Sequence, residues 1–227
     1  MNNPNKKIKI WSEFTDKGKE FWIQDVQDEY FDIIANAMSS DFIKDEPLGY
    51  YGKVFEDSII VEKQKQNYYQ TLRKCQSIMC MTRDEFGNPT PAGVHCQEIS
   101  SYPMEETFFF GRTLLVYMLQ FNNILSELAV NKFSLDKGLF VFSKYRGYGI
   151  GRQLLKCWPL ICKEANVEVG VGIFSSKYSQ TSAKRAGLIE LKYLPYKDIR
   201  NDCPKEIPLG IEEHTEGLKL YCVYPSI

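Results

Sequence analysis

The sequence predicts one α+β domain over residues 1–227, with a mixed, mostly antiparallel central sheet of about seven strands and flanking helices. Two observations predict this fold class. Seven short apolar or alternating segments are separated by turn residues or by segments with helical spacing. One of them leads through a glycine-rich turn directly into an amphipathic helix, at residues 138–162. No repeat, low-complexity tract or linker divides the chain, so we expect a single domain.

Turn residues or helical patterns bound each predicted strand. The turn-rich segment EFGNPTP lies between the second and third strands and is typical of an antiparallel hairpin. The segment GLFVF is almost wholly apolar, which indicates a short buried strand. The seven strands are predicted at residues 7–14, 77–83, 92–100, 138–142, 167–174, 188–194 and 218–225.

Helical spacing predicts five helices. The first starts at residue 20 and ends before residue 45, because Pro47 pushes Glu46 out of the helical conformation. In the fourth helix, Pro159 should produce a kink or end the regular part. Residues 197–217 are polar with two prolines and are predicted to be a surface excursion. The other four helices are predicted at 57–74, around 113–130, at 150–162 and at 176–187.

Composition and charge argue against several classes of function. Basic and acidic residues number 28 and 29, so the chain as a whole has no electrostatic basis for binding nucleic acid or an anionic membrane. No segment approaches the ~20 apolar residues that span a bilayer, and the N-terminus lacks the apolar stretch of a signal peptide. The seven cysteines include no CxxC spacing and are interpreted as reduced, mostly core thiols, so we expect a cytoplasmic protein.

The two histidines, His95 and His214, lie far apart in the sequence and lack metal-ligand spacing. This argues against a zinc site or a histidine-dependent hydrolytic triad, and we expect no metal. His95 lies in an apolar strand, where we expect a hydrogen-bonded interior histidine rather than a catalytic one.

The glycine-rich turn is the strongest indication of a ligand. Residues 146–151 read RGYGIG, an Arg-x-x-Gly-x-Gly pattern that matches neither a Walker A loop nor a dinucleotide-binding motif, because position 152 is arginine. Glycines let backbone N–H groups approach a ligand, and the following helix N-terminus favours an anion, which predicts a phosphate. Arg146 and Arg152 could add charge-assisted contacts. The alternative is a turn that merely makes a tight connection.

Arg146, Gly149 and Gly151 resemble the pyrophosphate-binding motif of the GNAT superfamily of acetyl-CoA-dependent N-acetyltransferases. The predicted order of elements is similar to the GNAT fold over essentially the whole chain. The resemblance implies an acetyl-CoA cosubstrate whose pantetheine arm binds backbone groups of the strand and whose pyrophosphate binds amides of the turn. The strand residues are Leu139, Phe140 and Val141, and the turn residues are Gly147, Tyr148, Gly149, Ile150, Gly151 and Arg152.

Two further segments are similar to a narrower family, the insect-type arylalkylamine N-acetyltransferases. DFIKDEPLG at 41–49 resembles that family's DEPL segment, and FSSKYSQTSAKRAGL at 174–188 resembles its Ser-Ser-x-Tyr-Ser segment. Three matches in the same order carry more weight than any one of them. The resemblance implies transfer of an acetyl group to a small primary amine.

An alkylamine is protonated at neutral pH and must lose a proton before it attacks a thioester, which calls for a general base. The sequence places Glu46 in an extended segment just beyond a helix end, where most carboxylates are simply solvated. By resemblance, Glu46 falls on the family's catalytic glutamate. Asp45 is the rival base, or a neighbour that raises the pKa of Glu46 by like-charge repulsion.

The leaving thiolate needs a proton or a strong hydrogen bond. Many GNAT enzymes have a tyrosine four residues before the glycine of the final helix, but counting back from Gly187 gives Ala183. The insect-type family has serines instead, which map onto Ser175 and Ser179, and Tyr178 lies between them. Serines at a helix start often serve only as N-caps, so both roles remain open.

The acceptor site is not determined by the sequence. Aromatic residues lining the acceptor site would favour an arylalkylamine. Acidic residues near the entrance of the same site, among them Asp41 and Asp45, would instead attract agmatine or a polyamine. The alternatives are an enzyme that acetylates a protein terminus or lysine, and a domain that binds an acyl-CoA without catalysis. We expect a monomer. The aromatic candidates for the acceptor site are Tyr50, Tyr51, Phe108, Phe109, Phe110 and Tyr117.

Overall fold

The computed structural model describes residues 8–102, 123–202 and 207–225, and contains a mixed, mostly antiparallel sheet of eight strands in the order β1-β2-β3-β4-β5-β6-β8-β7. All neighbouring strands are antiparallel except β5 and β6, which are parallel. The strands are β1 (Ile10–Asp16), β2 (Lys19–Asp25), β3 (Ile78–Arg83), β4 (Pro89–Ser101), β5 (Lys132–Val141), β6 (Val169–Phe174), β7 (Ile189–Pro195) and β8 (Gly217–Val223).

The helices pack on both faces of the sheet because side chains of a strand alternate between the faces. On β3, Met79 and Met81 contact the cluster formed with α1 and α4, whereas Ile78 and Cys80 pack against α5. Residues 123–127 are also helical. The labelled helices are α1 (Phe31–Ser39), α2 (Asp41–Asp45), α3 (Pro47–Tyr51), α4 (Ser58–Arg73), α5 (Ile150–Glu164), α6 (Lys177–Ala186) and α7 (Tyr196–Asp202).

The first predicted helix is wrong at its start, because Lys19–Asp25 forms β2 and α1 begins only at Phe31. In β2, Phe21 and Ile23 are buried toward α5 while Trp22 contacts the α1 side, which is a strand period of two. The spacing of Trp22 from later apolar residues also fits a helix, and for this reason the sequence pattern did not predict β2. The sheet therefore has eight strands rather than seven.

Three other expectations need correction. The predicted excursion at 197–217 contains the end of α7 and several buried side chains, which form a small core with Tyr196 and Leu218. The predicted strand at 138–142 is longer, since β5 begins at Lys132. Helix α5 continues through Pro159 to Glu164, so the proline does not end it. Of the helix predicted around 113–130, the part before residue 123 lies outside the described residues.

The parallel strands β5 and β6 separate after a short contact. They pair only from Phe133 with Val169 to Leu135 with Val171. Beyond that point β5 is paired with β4 on its other side as far as Val141, and β6 with β8 as far as Phe174. The separation leaves a cleft in the sheet whose vertex lies just after Leu135, and the β5 side of the cleft leads into the glycine turn.

The N-cap of α4 provides a test of this architecture, because α4 covers the face that holds Tyr68 against β5. The Asp57 carboxylate accepts the backbone N–H groups of Ile59 at 2.9 Å and Ile60 at 3.1 Å. Asp57→Ala should lower the free energy of unfolding by about 1 kcal/mol in urea titrations, whereas Asp57→Asn, which keeps an acceptor, should lose little. Equal losses in the two variants would contradict the cap.

Candidate active site

Glu46 is a buried carboxylate between α2 and α3. Its backbone is extended, with φ −79° and ψ 124°, as Pro47 at the start of α3 predicts. Its Oε2 accepts the backbone N–H of Gly49 at 2.7 Å, so the side chain also caps α3. Glu46 is only 8% exposed, unlike an ordinary solvated loop carboxylate.

Burial raises the pKa of Glu46 from its ordinary value. Hydrogen bonds from the Ser175 side chain and from the amides of Gly49 and Leu48 oppose part of that rise. The hydroxyl of Ser175 therefore lies beside the Glu46 carboxylate, although the two residues are far apart in the sequence. A carboxylate with a raised pKa and a hydroxyl partner is suited to proton transfer near neutral pH.

Asp45 is not among the causes that raise the pKa of Glu46, although its place in the sequence made it a candidate for such an effect. Its carboxylate forms an ion pair with the guanidinium of Arg146, and both side chains are about half exposed. Arg146 also donates through Nε to the carbonyl of Val141 at 3.1 Å. Burial, and not repulsion from Asp45, is the cause of the raised pKa of Glu46. The ion pair links the residue before Glu46 directly to the glycine turn.

The serines at the start of α6 have different partners. Ser176 is the N-cap, and its hydroxyl accepts the backbone N–H of Ser179 at 3.0 Å. The Ser179 hydroxyl completes a capping box by accepting the Ser176 N–H at 3.3 Å, and it donates to the Ser176 carbonyl at 2.9 Å. Ser175 stands before the cap and faces Glu46. Tyr178 is 68% exposed, and its ring meets the edge of His214.

The glycine turn has the backbone that its residues predict. Gly147 and Gly149 have φ of +82° and +69°, a region that favours glycine, and Gly149 is the N-cap of α5. A Cβ on Gly151 would lie 3.2 Å from Leu139 Cδ2, so this glycine allows α5 to approach β5 closely. Ile150 is buried in the core, whereas Arg152 is exposed. The turn and the first amides of α5 form a concave set of N–H donors suited to a phosphate.

The strand before the turn offers its backbone rather than its side chains. Leu139, Phe140 and Val141 pair with β4 on one edge, and their other edge faces the cleft beyond the last β5–β6 pair. The side chain of Phe140 is buried in the core formed with α1 and α4. β6 does not pair with this edge, and on it the Val141 carbonyl accepts the Nε–H of Arg146.

Two residues near Glu46 were missed in the sequence. Tyr68 on α4 donates its hydroxyl to the carbonyl of Lys137 at 3.1 Å. Burial raises the pKa of Tyr68 well above its ordinary value, and the charges of Asp136 and Glu46 add to the effect. Nothing in the sequence distinguishes Tyr68 within a polar helix, and Asp136 stands beside Lys137 in a strand that also contains other polar residues.

Asp136 lies at the vertex of the cleft. Its Oδ1 accepts the N–H of Gly138 at 2.9 Å and lies 3.1 Å from Nε2 of His95. A Cβ on Gly172 would lie 2.7 Å from the Asp136 Cβ, so the glycine makes room for the carboxylate. His95 is fully buried as expected, but among the described residues its Nδ1 has no hydrogen-bond partner.

Aromatic side chains flank Glu46 on α3. The rings of Tyr50 and Tyr51 meet edge to face at 5.2 Å, and Tyr50 stacks on Phe55 at 6.2 Å. Tyr50 is 53% exposed and presents its ring to solvent. Gly210, from the connection before β8, packs against Tyr51. The other aromatic candidates, Phe108, Phe109, Phe110 and Tyr117, lie outside the described residues.

Two further features are absent from residues 8–102, 123–202 and 207–225. No group of three or more His, Cys, Asp or Glu residues in these ranges could hold a metal ion. None of the described helices is long and apolar enough to cross a membrane.

No protein-family model and no curated protein matches this sequence. Solved structures with the same architecture include an insect arylalkylamine N-acetyltransferase 7 from the yellow fever mosquito Aedes aegypti, with 21% identity, a TM-score of 0.85 and 96% of each chain covered. Arylalkylamine N-acetyltransferase 2 from the same mosquito has 19% identity and a TM-score of 0.71, covering 91% of this chain and 99% of its own.

A polyamine N-acetyltransferase from Drosophila melanogaster, which catalyses the formation of N-acetylagmatine, has 13% identity and a TM-score of 0.67 over 90% of this chain and 99% of its own. These likenesses extend over nearly the whole of each chain and concern the overall fold, with its mixed, mostly antiparallel sheet and flanking helices. The chain therefore has the fold of the GNAT N-acetyltransferases.

Proposed function

We propose that the protein is an acetyl-CoA-dependent N-acetyltransferase that acetylates the primary amine of a small arylalkylamine. The observation that carries the proposal is the buried Glu46 carboxylate, with a raised pKa and a hydrogen bond from Ser175. The ion pair between Asp45 and Arg146 joins this carboxylate to the glycine turn. The proposed proton acceptor and the proposed phosphate cradle are thus linked through adjacent residues, Asp45 and Glu46.

The residues present fit acetyl-CoA. Positive φ at Gly147 and Gly149 and the N-terminus of α5 suit its pyrophosphate. The cleft-facing edge of Leu139 to Val141 suits the amide groups of its pantetheine arm, by analogy with strand addition. The bound cosubstrate would supply the thioester that the amine attacks.

In the proposed mechanism Glu46 removes a proton from the substrate ammonium, which frees the nitrogen lone pair for attack on the thioester carbonyl. Formation of the amide bond breaks the carbon–sulfur bond, and the sulfur leaves as a thiolate. Ser175 donates a hydrogen bond to Glu46 and can pass the proton from this carboxylate to the thiolate. The ammonium loses two protons in all: the first passes through Glu46 and Ser175 to the thiolate, and the second leaves to solvent as the amide forms, which returns Glu46 as a carboxylate.

The aromatic side chains on α3 support an aryl acceptor. Tyr50 and Tyr51 of α3 and Phe55, four residues after α3, form a contiguous ring cluster that begins four residues after Glu46 and is suited to stacking on an aromatic amine. A polyamine or agmatine would need free carboxylates, and one candidate, Asp45, is paired with Arg146. Acetylation of agmatine or a polyamine is the alternative acceptor class, and the same assay distinguishes it.

The first test is amine-dependent thiol release from acetyl-CoA. Wild type should turn over tyramine, dopamine, serotonin and tryptamine in preference to agmatine, putrescine and spermidine. Glu46→Gln should lower kcat by about 10²- to 10⁴-fold, the usual contribution of a general base. Glu56→Gln, an exposed carboxylate nearby in the chain, is the control and should retain activity. Unchanged turnover in Glu46→Gln would contradict the assignment of the base.

The raised pKa of Glu46 predicts opposite effects on activity and stability. Because the folded pKa lies above the unfolded one, the folded protein binds more protons between the two values, and stability falls as pH rises through that window. Glu46→Gln cannot ionise at this position, so the variant does not lose stability in this way. In urea titrations, the free energy of unfolding of the variant should therefore increase relative to that of wild type from acid to neutral pH. In wild type, kcat/KM should rise with pH through the raised pKa. A variant whose relative stability is independent of pH would contradict the raised pKa.

The two serines can be separated by paired variants. Ser175→Ala should lower kcat by about 10- to 100-fold with little change in the unfolding midpoint, because it removes the partner of Glu46 and no cap. Ser179→Ala should instead lower the free energy of unfolding by about 1 kcal/mol, because it breaks the capping box. The reverse pattern would assign the proton donor to Ser179.

A further inference from the structure

Lys17 contacts the glycine turn although it lies 130 residues before Gly147 in the sequence. It lies at the tip of the β1–β2 hairpin, where Asp16 pairs with Lys19 and a two-residue turn joins the strands. Its Nζ donates to the carbonyl of Gly147 at 2.9 Å. The same ammonium lies 5.2 Å from the ring centroid of Tyr148, the next residue of the turn.

The hairpin itself does not account for a lysine at this position. Lys17 and Gly18 have φ of +50° and +75°, the conformation of a type I′ turn. Asn, Asp and Gly adopt the first position of this turn at lower cost than lysine does. A residue held in a less favourable conformation is a reason to ask what its side chain does.

The charges around the turn give that side chain a role. Arg146 is paired with Asp45 and also donates to Val141, so much of its charge is already compensated. Within the described ranges, no carboxylate lies within ion-pair distance of Lys17. Its contacts are a carbonyl oxygen and an aromatic face, neither of which cancels the charge. Lys17 therefore brings an uncompensated positive charge to the rim of the phosphate cradle.

The contact also orders the side chain. A lysine that binds a phosphate loses rotamer freedom, and this loss opposes binding when the free side chain is mobile. The hydrogen bond to Gly147 and the ring of Tyr148 already restrict Lys17, and Tyr148 itself packs against Phe21 of β2 at 5.5 Å. The ammonium is thus held next to the turn before any ligand arrives.

We propose that Lys17 is a phosphate-binding residue for coenzyme A, contributed by the β1–β2 hairpin from outside the glycine-turn motif. The inference rests on the proposed function, since it requires an acyl-CoA at the turn. The chemistry recognised is a phosphate group of the coenzyme, either the pyrophosphate or the 3′-phosphate.

The test is the dissociation constant of coenzyme A, measured by calorimetry on the purified full chain. Lys17→Asn should weaken binding by about three- to fivefold, because a partly screened charge pair contributes an affinity of this size. The difference in affinity between wild type and variant should shrink as the salt concentration increases. Because asparagine suits the turn, the unfolding midpoint should be maintained or raised. Lys17→Arg should retain affinity. Lys53→Asn is the matched control, a lysine with φ +52° in another turn, and should leave affinity unchanged.

Dephospho-coenzyme A, which lacks the 3′-phosphate, distinguishes the two phosphate sources. If Lys17→Asn weakens the binding of coenzyme A but not of dephospho-coenzyme A, Lys17 contacts the 3′-phosphate. If the variant weakens the binding of both ligands equally, Lys17 contacts the pyrophosphate. If wild type binds coenzyme A and Lys17→Asn binds it equally well, the inference about Lys17 is wrong while the proposed function stands. If wild type binds no coenzyme A, the proposed function fails.

Discussion

The separation of β5 from β6 is the constraint on which the rest of the site depends. Once the parallel pairing stops at Leu135 and Val171, each strand keeps only its antiparallel partner. Backbone groups on the β5 side of the cleft then take side-chain partners, because Tyr68 donates to the Lys137 carbonyl and Arg146 to the Val141 carbonyl. The Asp136 carboxylate lies at the vertex, where it accepts the N–H of Gly138 and where Gly172 leaves room for it.

Burial then gives the Glu46 carboxylate its chemistry. A carboxylate in this position is costly unless hydrogen bonds satisfy it, and Gly49, Leu48 and Ser175 supply them. The same contacts that permit burial therefore also place a hydroxyl beside this carboxylate. Asp45, one residue earlier, stays half exposed and pairs with Arg146, so adjacent carboxylates serve separate ends of the site.

The parts that could be predicted from the sequence are those set by local backbone chemistry. Gly149 with positive φ and Glu46 held extended before Pro47 follow from neighbouring residues. Strand β2 was missed because Trp22 fits both a helical and a strand period. Tyr68 and Lys17 were missed because their partners lie 69 and 130 residues away, and no local pattern encodes such contacts.

The start of α6 shows why a motif match alone does not assign a role. The cap needs hydroxyls at the N-cap and three residues later, and Ser176 and Ser179 use theirs on each other and on the backbone. Ser175 is one residue outside the helix, where no cap requires its hydroxyl, and it is this side chain that reaches Glu46. The cap fixes the direction of the chain as it leaves β6. The two capping serines, Ser176 and Ser179, therefore determine the direction in which the Ser175 side chain can point.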